Sequence, residues 1–191
     1  GNTDLKSILN LGKQYLTGVF LKSKEQKITS GPLELVKCFD DREDSCGLLQ
    51  LKHSFDLNEM YGLNYGYRSG LNQSMVRHLH GRVQKIMDII KLNDSDLVID
   101  IGSNDSTLLQ GYPRERFVLV GVDPVGKKFK DYYPNYIQLI PDFFSSEVIR
   151  KHFGDKKAKI ITSISMFYDL EDPIDFMRQI HEVLDDDGIW V

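Results

Sequence analysis

The sequence has few of the features that mark several large classes of protein. Its 191 residues include only two cysteines, Cys38 and Cys46, too few for a disulfide framework. No apolar run approaches the roughly 20 residues that a membrane-spanning helix needs. No charged-then-apolar leader resembles a signal peptide. We therefore expect a soluble, cytoplasmic protein.

Positive charge is slightly outnumbered by negative charge. Lys and Arg number 24 against 28 Asp and Glu, so the formal net charge is −4. This balance gives no reason to expect nucleic acid or an anionic membrane as a partner. Hydrophobic residues make up 41% and charged residues 27%, as in ordinary globular proteins. The length allows a domain with a sizeable core and a small additional unit.

What the sequence does contain is an apolar strand followed by a glycine turn. Residues 97–101 form a short apolar run that only Asp100 interrupts, and the run ends at Gly102. Such a run, bounded by turn residues, is typical of a strand buried on both faces. The pattern predicts strand, glycine turn and helix, with ligands binding at the carboxyl end of the strand.

The residues of this turn suit a ligand that carries positive charge or hydroxyl groups. Gly102 has no Cβ, so a ligand can approach the backbone closely. Asp100 can accept hydrogen bonds from a cation or a hydroxyl. The alternative is that Asp100 and Asn104 only cap the turn and the helix.

A second apolar strand, residues 117–122, also ends in an acid, Asp123. The acid stands about 20 residues beyond the glycine turn, where adenosine-binding sites carry a carboxylate that accepts both ribose hydroxyls. A turn aspartate before Pro124 is the alternative. Because the strand, the turn and the acid occur together, we favour a bound ribose.

The missing glycines favour one adenosine ligand over another. The dinucleotide fingerprint has three glycines at a helix N-terminus that meets a pyrophosphate, whereas residues 102–107 contain one. Asp100 and Asp105 would repel a pyrophosphate but attract the ammonium and sulfonium groups of S-adenosylmethionine (SAM). The charges therefore favour SAM over NAD.

The remaining segments alternate between helix and strand patterns. They predict a helix at 72–92, a third strand at 136–140, a helix at 147–153, a fourth strand at 158–164, a helix at 173–184, a tight turn at 185–188 and a fifth strand from residue 189. Asp142 and Phe143 follow the third strand, where they would meet an adenine amine and ring face. A packed Phe143–Phe144 pair is the alternative, and it suits Phe144 better.

The N-terminal part predicts a small hairpin. Residues 32–38 alternate as a strand does, and residues 46–51 return as a second strand. Cys38 and Cys46 then lie at the hairpin mouth, either as half of a four-ligand zinc site or as two small thiols. The tyrosine- and glycine-rich segment 61–70 is either the lip of a pocket or a connector.

Five stretches taken together resemble the nucleotide-sugar C-methyltransferases: residues 32–38, 46–51, 65–72, 100–105 and 142–144. The resemblance implies an α/β fold with a Rossmann-like SAM methyltransferase sheet, incomplete at about five parallel strands, preceded by a zinc-binding-type hairpin. It implies domains at 1–60, 61–93 and 94–191. It also implies that a base removes a proton beside the keto group of a nucleotide-linked sugar, and that the resulting carbanion attacks the SAM methyl.

The resemblance assigns site residues as well. Cys38 and Cys46 would be zinc ligands, and Tyr67, or else Tyr65, would be the pocket tyrosine that orients SAM or the sugar. The residues expected to hold SAM are Asp100, Gly102 and Asn104 on its methionyl part, Asp123 on the ribose, Asp142 and Phe143 on the adenine, and the backbone of Ser163.

The sequence also departs from this family. No Cys-x-x-Cys precedes Ile8, and Ser106 stands where glycine is usual. Val191 lies within the fifth strand, ahead of the family's histidine base, so we assign no general base and expect weak SAM binding with little turnover. Methyl transfer to nitrogen or oxygen and SAM binding without catalysis remain alternatives. Self-association through an open sheet edge at 189–191 is a further expectation.

Overall fold

The computed structural model describes residues 3–17, 21, 23–39, 45–62 and 65–191. The sequence also predicts an acidic turn at residues 40–44, which lies outside these ranges. The chain divides into two compact units, Gly1–Tyr67 and Arg68–Val191. Among the helices described, none has both the length and the apolar composition to cross a membrane.

The first unit contains an antiparallel sheet in the order β1-β2-β3. Its strands are β1 (Leu5–Tyr15), β2 (Ser30–Cys38) and β3 (Leu49–Leu51), and a short helix α1 (Leu57–Met60) follows. The predicted antiparallel pairing of the two later segments is confirmed, although β3 begins at Leu49. The sequence did not reveal β1, because its register shifts twice against β2 and this breaks the alternation of side chains.

The second unit is a parallel sheet with helices on both faces. Its elements are α2 (Gln73–Ile89), β4 (Leu97–Ile101), β5 (Val118–Val122), α3 (Gly126–Phe129), β6 (Ile137–Ile140), α4 (Ser146–Phe153), β7 (Ala158–Thr162), α5 (Pro173–Val183) and β8 (Leu184–Trp190). The strand order is β6-β5-β4-β7-β8. This arrangement confirms the predicted α/β class, with five parallel strands.

The central strand β4 separates two apolar cores. Val98 packs in the core that includes α2, whereas Ile99 packs in the core that includes α4 and α5. Every residue of β4 is buried, as expected for a continuous apolar run in a parallel sheet. Asp100 shares the α2 side with Val98, since side chains alternate along a strand.

The helix predicted immediately after the glycine turn does not form. A single 3₁₀ turn at Leu109–Gly111 is the helical structure between β4 and β5. Asn104 and Ser106 have left-handed φ angles of 52° and 63°, which a continuous right-handed helix cannot include. Leu108 and Leu109, the apolar pair expected to open the helix, are instead buried in the core beside α2.

The tight turn predicted at 185–188 is also wrong, because these residues belong to β8. The register against β7 shifts here: Leu184 pairs with Ala158, and Ile189 pairs with Ile160. The extra residues form an irregularity in which Lys159 of β7 makes an ion pair with Asp187. A cation on the neighbouring strand therefore allows an acidic run to lie at a sheet edge.

Gly121 of β5 leaves room for the glycine turn beside it. A Cβ at this position would lie 2.5 Å from the Ser103 hydroxyl oxygen and 2.9 Å from the Tyr133 ring. We expect Gly121→Ala to lower the free energy of unfolding by about 1–3 kcal/mol, as overpacking does. Urea denaturation would measure this loss. Gly81→Ala, where a Cβ would meet nothing within 4 Å, is the matched control and should not destabilise α2.

Candidate functional site

The strand order reverses direction at β4, and open α/β sheets form a crevice at such a point. The chain adds β5 and β6 on one side of β4, then crosses to add β7 and β8 on the other side. In open α/β sheets ligands bind outside the carboxyl ends of the strands at such a point. Gly102 and Asn104 follow β4, Asp123 follows β5 and Ser163 follows β7. Four predicted site residues therefore come to one edge.

The glycine turn adopts the conformation that its one glycine permits. Gly102 has a φ of +71°, and its N–H donates to the carbonyl of Val122 at 2.8 Å. The side chain of Met166, from the loop after β7, lies over the turn, 3.5 Å from where a Gly102 Cβ would be. The turn is thus held by β5 on one side and covered by the β7 loop on the other.

Asp123 is buried, and both of its carboxylate oxygens accept backbone hydrogen bonds. Oδ2 accepts from the N–H of Asn104 and Oδ1 from the N–H of Val125, each at 2.7 Å. Burial raises the pKa of Asp123 above its usual range, and the two N–H donors oppose this rise. Asp123 therefore organises its own turn and the glycine turn. A carboxylate has about four acceptor positions, so two remain for a ligand.

Asp100 is a buried acid within β4, one residue before the strand ends. The hydroxyl of Thr162 donates to its Oδ1 at 2.6 Å. Burial raises the pKa of Asp100 to about 7, and the negative charge of Asp123 adds to this rise. Near neutral pH the side chain is therefore divided between its protonated and ionised forms. A bound cation would shift this balance toward the carboxylate.

A tyrosine hydroxyl is buried in the same region as Asp100. Among the described side chains, Tyr112 has the one buried polar atom without a hydrogen-bond partner. Burial raises the pKa of Tyr112, and the charge of Asp100 contributes. The hydroxyl therefore stays protonated, and it adds a neutral dipole to the surroundings of Asp100.

The residues after β6 are more exposed than those after β4 and β5. The Asp142 carboxylate accepts from the N–H of Phe143 at 2.8 Å, and the Phe143 side chain is 37% exposed. Phe144 packs against Phe176 of α5, with ring centroids 5.3 Å apart. Phe144 is therefore packed, but its partner is Phe176 of α5, and Phe143 is partly exposed.

Ser163 takes part in the sheet edge. Its N–H donates to the carbonyl of Val191 at 3.0 Å, and its hydroxyl oxygen accepts from the indole N–H of Trp190 at 2.8 Å. The backbone contact with a ligand predicted for this residue would therefore fall to its carbonyl. That contact stays a prediction.

Sequence reasoning missed two residues that support the turn. The Tyr133 hydroxyl donates to the carbonyl of Asn104 at 3.0 Å and lies 2.8 Å from the Ser103 hydroxyl. Nothing in the sequence marks this tyrosine. Thr162, by contrast, is a polar residue at the end of an apolar strand, and that position was the available signal for its contact with Asp100.

A family model described as "Methyltransferase domain" matches residues 75–191, which include every element of the crevice. The chain belongs to the methyltransferase domain family. A second model, described as "Putative zinc binding domain", matches residues 1–61. The two matches divide the chain into an N-terminal part and a methyltransferase domain.

A curated relative of this chain is the C-methyltransferase NovU of Streptomyces niveus. The two are 25% identical over 195 residues, which cover 100% of this chain and 44% of NovU. The chain thus spans less than half the length of this relative.

Several solved structures resemble the chain at low identity. The carbon methyltransferase of CurJ has a TM-score of 0.47 and 14% identity, covering 64% of this chain and 36% of that one. The plantazolicin methyltransferase BpumL, solved with SAH and a pentazolic desmethylPZN analogue, has a TM-score of 0.47 and 16% identity, covering 64% and 48%. YcgJ of Bacillus subtilis has a TM-score of 0.46 and 19% identity, covering 60% and 49%.

The two cysteines of the chain have part of the chemistry of a zinc site. Cys38 is buried and Cys46 is exposed, and both are free thiols. The backbone N–H of Cys46 lowers the pKa of Cys38, with smaller effects from the Cys46 thiol and the Ser45 hydroxyl. This favours the thiolate that binds metal. Structural zinc takes four ligands, and no group of three candidate ligands gathers among the residues described. Cys38 and Cys46 therefore supply two of the four ligands that a structural zinc site needs.

Tyr65 and Tyr67 lie at the C-terminal end of the first unit. The N–H of Tyr65 donates to the carbonyl of Gly62 at 3.0 Å, and its ring lies 5.6 Å from that of Tyr61. The Tyr67 side chain is 47% exposed. Their roles toward SAM or a sugar stay predictions.

Proposed function

We propose that this methyltransferase domain binds SAM in the crevice at the carboxyl ends of β4, β5 and β7. One observation carries the proposal: two buried acids, Asp100 and Asp123, lie on neighbouring parallel strands on either side of the Gly102 turn. Their charges are close enough that Asp123 raises the pKa of Asp100. A ligand with cationic groups and a ribose can use both acids.

Asp123 is the proposed ribose acceptor. Its two backbone donors hold the carboxylate in one orientation before any ligand arrives. Such preorganisation lowers the ordering cost of binding. The two acceptor positions that remain can receive the two hydroxyls of a ribose, as carboxylates at this position of the fold do.

Asp100 is the proposed partner of the positive charge on SAM. No lysine or arginine makes an ion pair with Asp100 among the described residues, whereas its neighbour Asp105 pairs with Arg68. The ionised form of Asp100 therefore pays a desolvation penalty that a ligand ammonium would offset. Gly102 and Asn104 are the proposed contacts of the remaining methionyl atoms. The Met166 side chain, 3.5 Å from where a Gly102 Cβ would be, would have to move for a ligand to approach the glycine backbone there.

Asp142 and Phe143 are the proposed adenine contacts. The exposed Phe143 ring offers a flat apolar face, and Asp142 offers an acceptor for the exocyclic amine. SAM, once bound, would supply a methyl group on a positively charged sulfur. The chain would hold that sulfur near a nucleophile and exclude water from it. The Met166 side chain lies over the Gly102 turn and could shield this region from water.

We further propose methyl transfer to carbon, on a nucleotide-linked keto-sugar. Two observations support this finer assignment: the five stretches that resemble sugar C-methyltransferases, and the similarity to NovU, which is named a C-methyltransferase. Tyr67, or else Tyr65, would orient the methionyl end or the sugar. Cys38 and Cys46 would be two ligands of a structural zinc.

Isothermal calorimetry with SAM and with SAH tests the cofactor proposal. We expect saturable heat for both ligands and little for NADH, whose pyrophosphate would meet Asp100. A protein that gives no heat and no thermal shift at millimolar SAM would contradict the proposal.

Methyl transfer is tested with isotope-labelled SAM and a nucleotide-linked keto-sugar, with the product examined by NMR. A new carbon–methyl bond beside the keto group would support the sugar assignment. A label on nitrogen or oxygen of another small molecule would favour the alternative chemistry. SAM binding without transfer would favour a binding role only if a protein extended beyond Val191 also transfers no methyl group.

A further inference from the structure

The segment that begins the second unit is attached directly to the glycine turn. The N–H of Ser69 donates to Oδ1 of Asn104 at 3.0 Å. The N–H of Gly70 donates to Oδ2 of Asp105 at 2.8 Å, and Nη1 of Arg68 lies 3.4 Å from the same oxygen. Two consecutive side chains of the turn thus hold three consecutive residues that lie about 35 positions earlier.

Both carboxylate oxygens of Asp105 already have partners within the chain. It is 1% exposed, and its other oxygen, Oδ1, accepts from the Thr107 hydroxyl at 2.5 Å. The sequence predicted that Asp105 would attract a cationic ligand. In the structure its cation is Arg68, so the charge of Asp105 is already matched within the chain.

The close approach depends on Gly70. A Cβ on Gly70 would lie 2.6 Å from Oδ2 of Asp105 and 3.0 Å from the Thr107 hydroxyl oxygen. The glycine therefore lets the backbone come within hydrogen-bond distance of the carboxylate. A larger residue would push the segment away from the turn.

Arg68 links the turn to the region after β5 as well. Its guanidinium carbon lies 4.0 Å from the centre of the Tyr132 ring, a favourable cation–π distance. The carbonyl of Tyr132 in turn accepts from the Ser106 hydroxyl at 3.3 Å. Arg68 thus contacts two segments: the glycine turn, through Asp105, and the segment after β5, through Tyr132.

We infer that Asp105 is a positioning residue that couples occupation of the SAM crevice to the order of Arg68–Leu71, the segment that continues directly from Tyr67. The inference rests on the proposed function, because SAM is taken to contact the turn beside Asp105. A ligand that immobilises the turn also immobilises Asn104 and Asp105. These residues then hold Ser69 and Gly70 more firmly, and the coupling is reciprocal.

Amide hydrogen exchange with and without saturating SAM tests this inference. In the unaltered chain we expect SAM to slow exchange at Ser69 and Gly70 by about tenfold, alongside slower exchange at Asn104. Asp105→Asn keeps an acceptor for Thr107 but loses the negative charge. In this variant we expect exchange at Ser69 and Gly70 to be about tenfold faster, with the SAM effect lost there and kept at Asn104.

The matched control is Asp94→Asn. It removes the charge from another Asp–Arg pair, Asp94 with Arg116, whose side chains are 78% and 55% exposed. Exchange at Ser69 and Gly70 should be unchanged in this control. If Asp105→Asn does not fold, Gly70→Ala gives an independent test, because its Cβ displaces the segment without altering Asp105. In Arg68→Gln we expect SAM to lose its effect on amide exchange at Ser69 and Gly70. In Arg68→Lys we expect part of that effect to remain.

Two results would overturn the inference. SAM protection at Asn104 without protection at Ser69 and Gly70 would refute the coupling while leaving the proposed SAM site intact. Equal SAM effects at Ser69 and Gly70 in Asp105→Asn and in the unaltered chain would show that Asp105 does not transmit them. Absence of calorimetric heat with SAM would instead refute the proposed function and the coupling together.

Discussion

Asp123→Ala is expected to weaken SAM binding by roughly 10- to 100-fold and to destabilise the domain. Hydrogen bonds to a charged group contribute about 1–3 kcal/mol, which corresponds to that loss of affinity. The stability effect has a separate cause. The buried N–H groups of Asn104 and Val125 lose their acceptor, so the free energy of unfolding should fall by about 2–4 kcal/mol.

Calorimetry would measure the affinity of Asp123→Ala, and urea denaturation would measure its stability. Asp123→Asn should fall between the two proteins, because its amide oxygen can accept from only one of the two N–H groups at a time. Asp131→Ala, an exposed acid that follows α3, is the control and should change neither quantity. If Asp123→Ala loses stability but keeps its SAM affinity, the acid organises the turn and does not bind ribose.

SAM affinity is expected to fall about tenfold or more between pH 7 and pH 5.5, and Asp100 is the cause. Burial raises the pKa of Asp100 to about 7 in the free protein. The cationic ligand requires the ionised form, and the fraction of ionised carboxylate falls about tenfold for each pH unit below the pKa. Asp100→Asn should bind SAM weakly, with an affinity that hardly changes over the same range.

The stability of the free protein should respond to pH in the opposite sense. The pKa of Asp100 is higher in the folded state than in the unfolded state. Its contribution to the free energy of unfolding is therefore complete below the unfolded pKa and is lost as pH rises through about 7. Asp100→Asn has no such group. Its stability relative to the unaltered chain should therefore increase by about 2–3 kcal/mol from pH 5 to pH 8.

Urea titrations of both proteins at several pH values would measure this difference, and the comparison cancels most titrations common to both. Thr162→Val is an informative companion. It removes the donor that lowers the pKa of Asp100, so it should move the affinity profile to higher pH. An affinity that is the same at pH 5.5 and pH 7 in the unaltered chain would contradict the assignment of Asp100.

Two segments were predicted wrongly from the sequence, because their conformation depends on contacts with distant residues. Residues 185–188 have the composition of a turn, yet they lie in β8, because Lys159 on β7 supplies the charge that an isolated acidic run lacks. Leu108 and Leu109 are apolar and suited to a helix, yet the left-handed φ angles before them and the core beside α2 hold them in another conformation. In both cases the deciding partner lies elsewhere in the chain.

The sequence by itself determined the α/β class, the parallel strands around β4, and the two acids at one edge of the sheet. These follow from short apolar runs bounded by turn residues, because a strand buried on both faces needs apolar side chains throughout. The cofactor contacts proposed for Asp142, Phe143 and Ser163 stay predictions.

Only the tertiary structure decided which acids already have a cationic partner within the chain. Asp100 and Asp105 are both acids of one turn region, but Asp105 is matched by Arg68 and by the N–H of Gly70, whereas Asp100 lies beside Thr162 with a raised pKa. A carboxylate's protonation and its partners depend on the distances and burial that folding creates, and residues 37 positions apart in the chain carry no local sign of their contact.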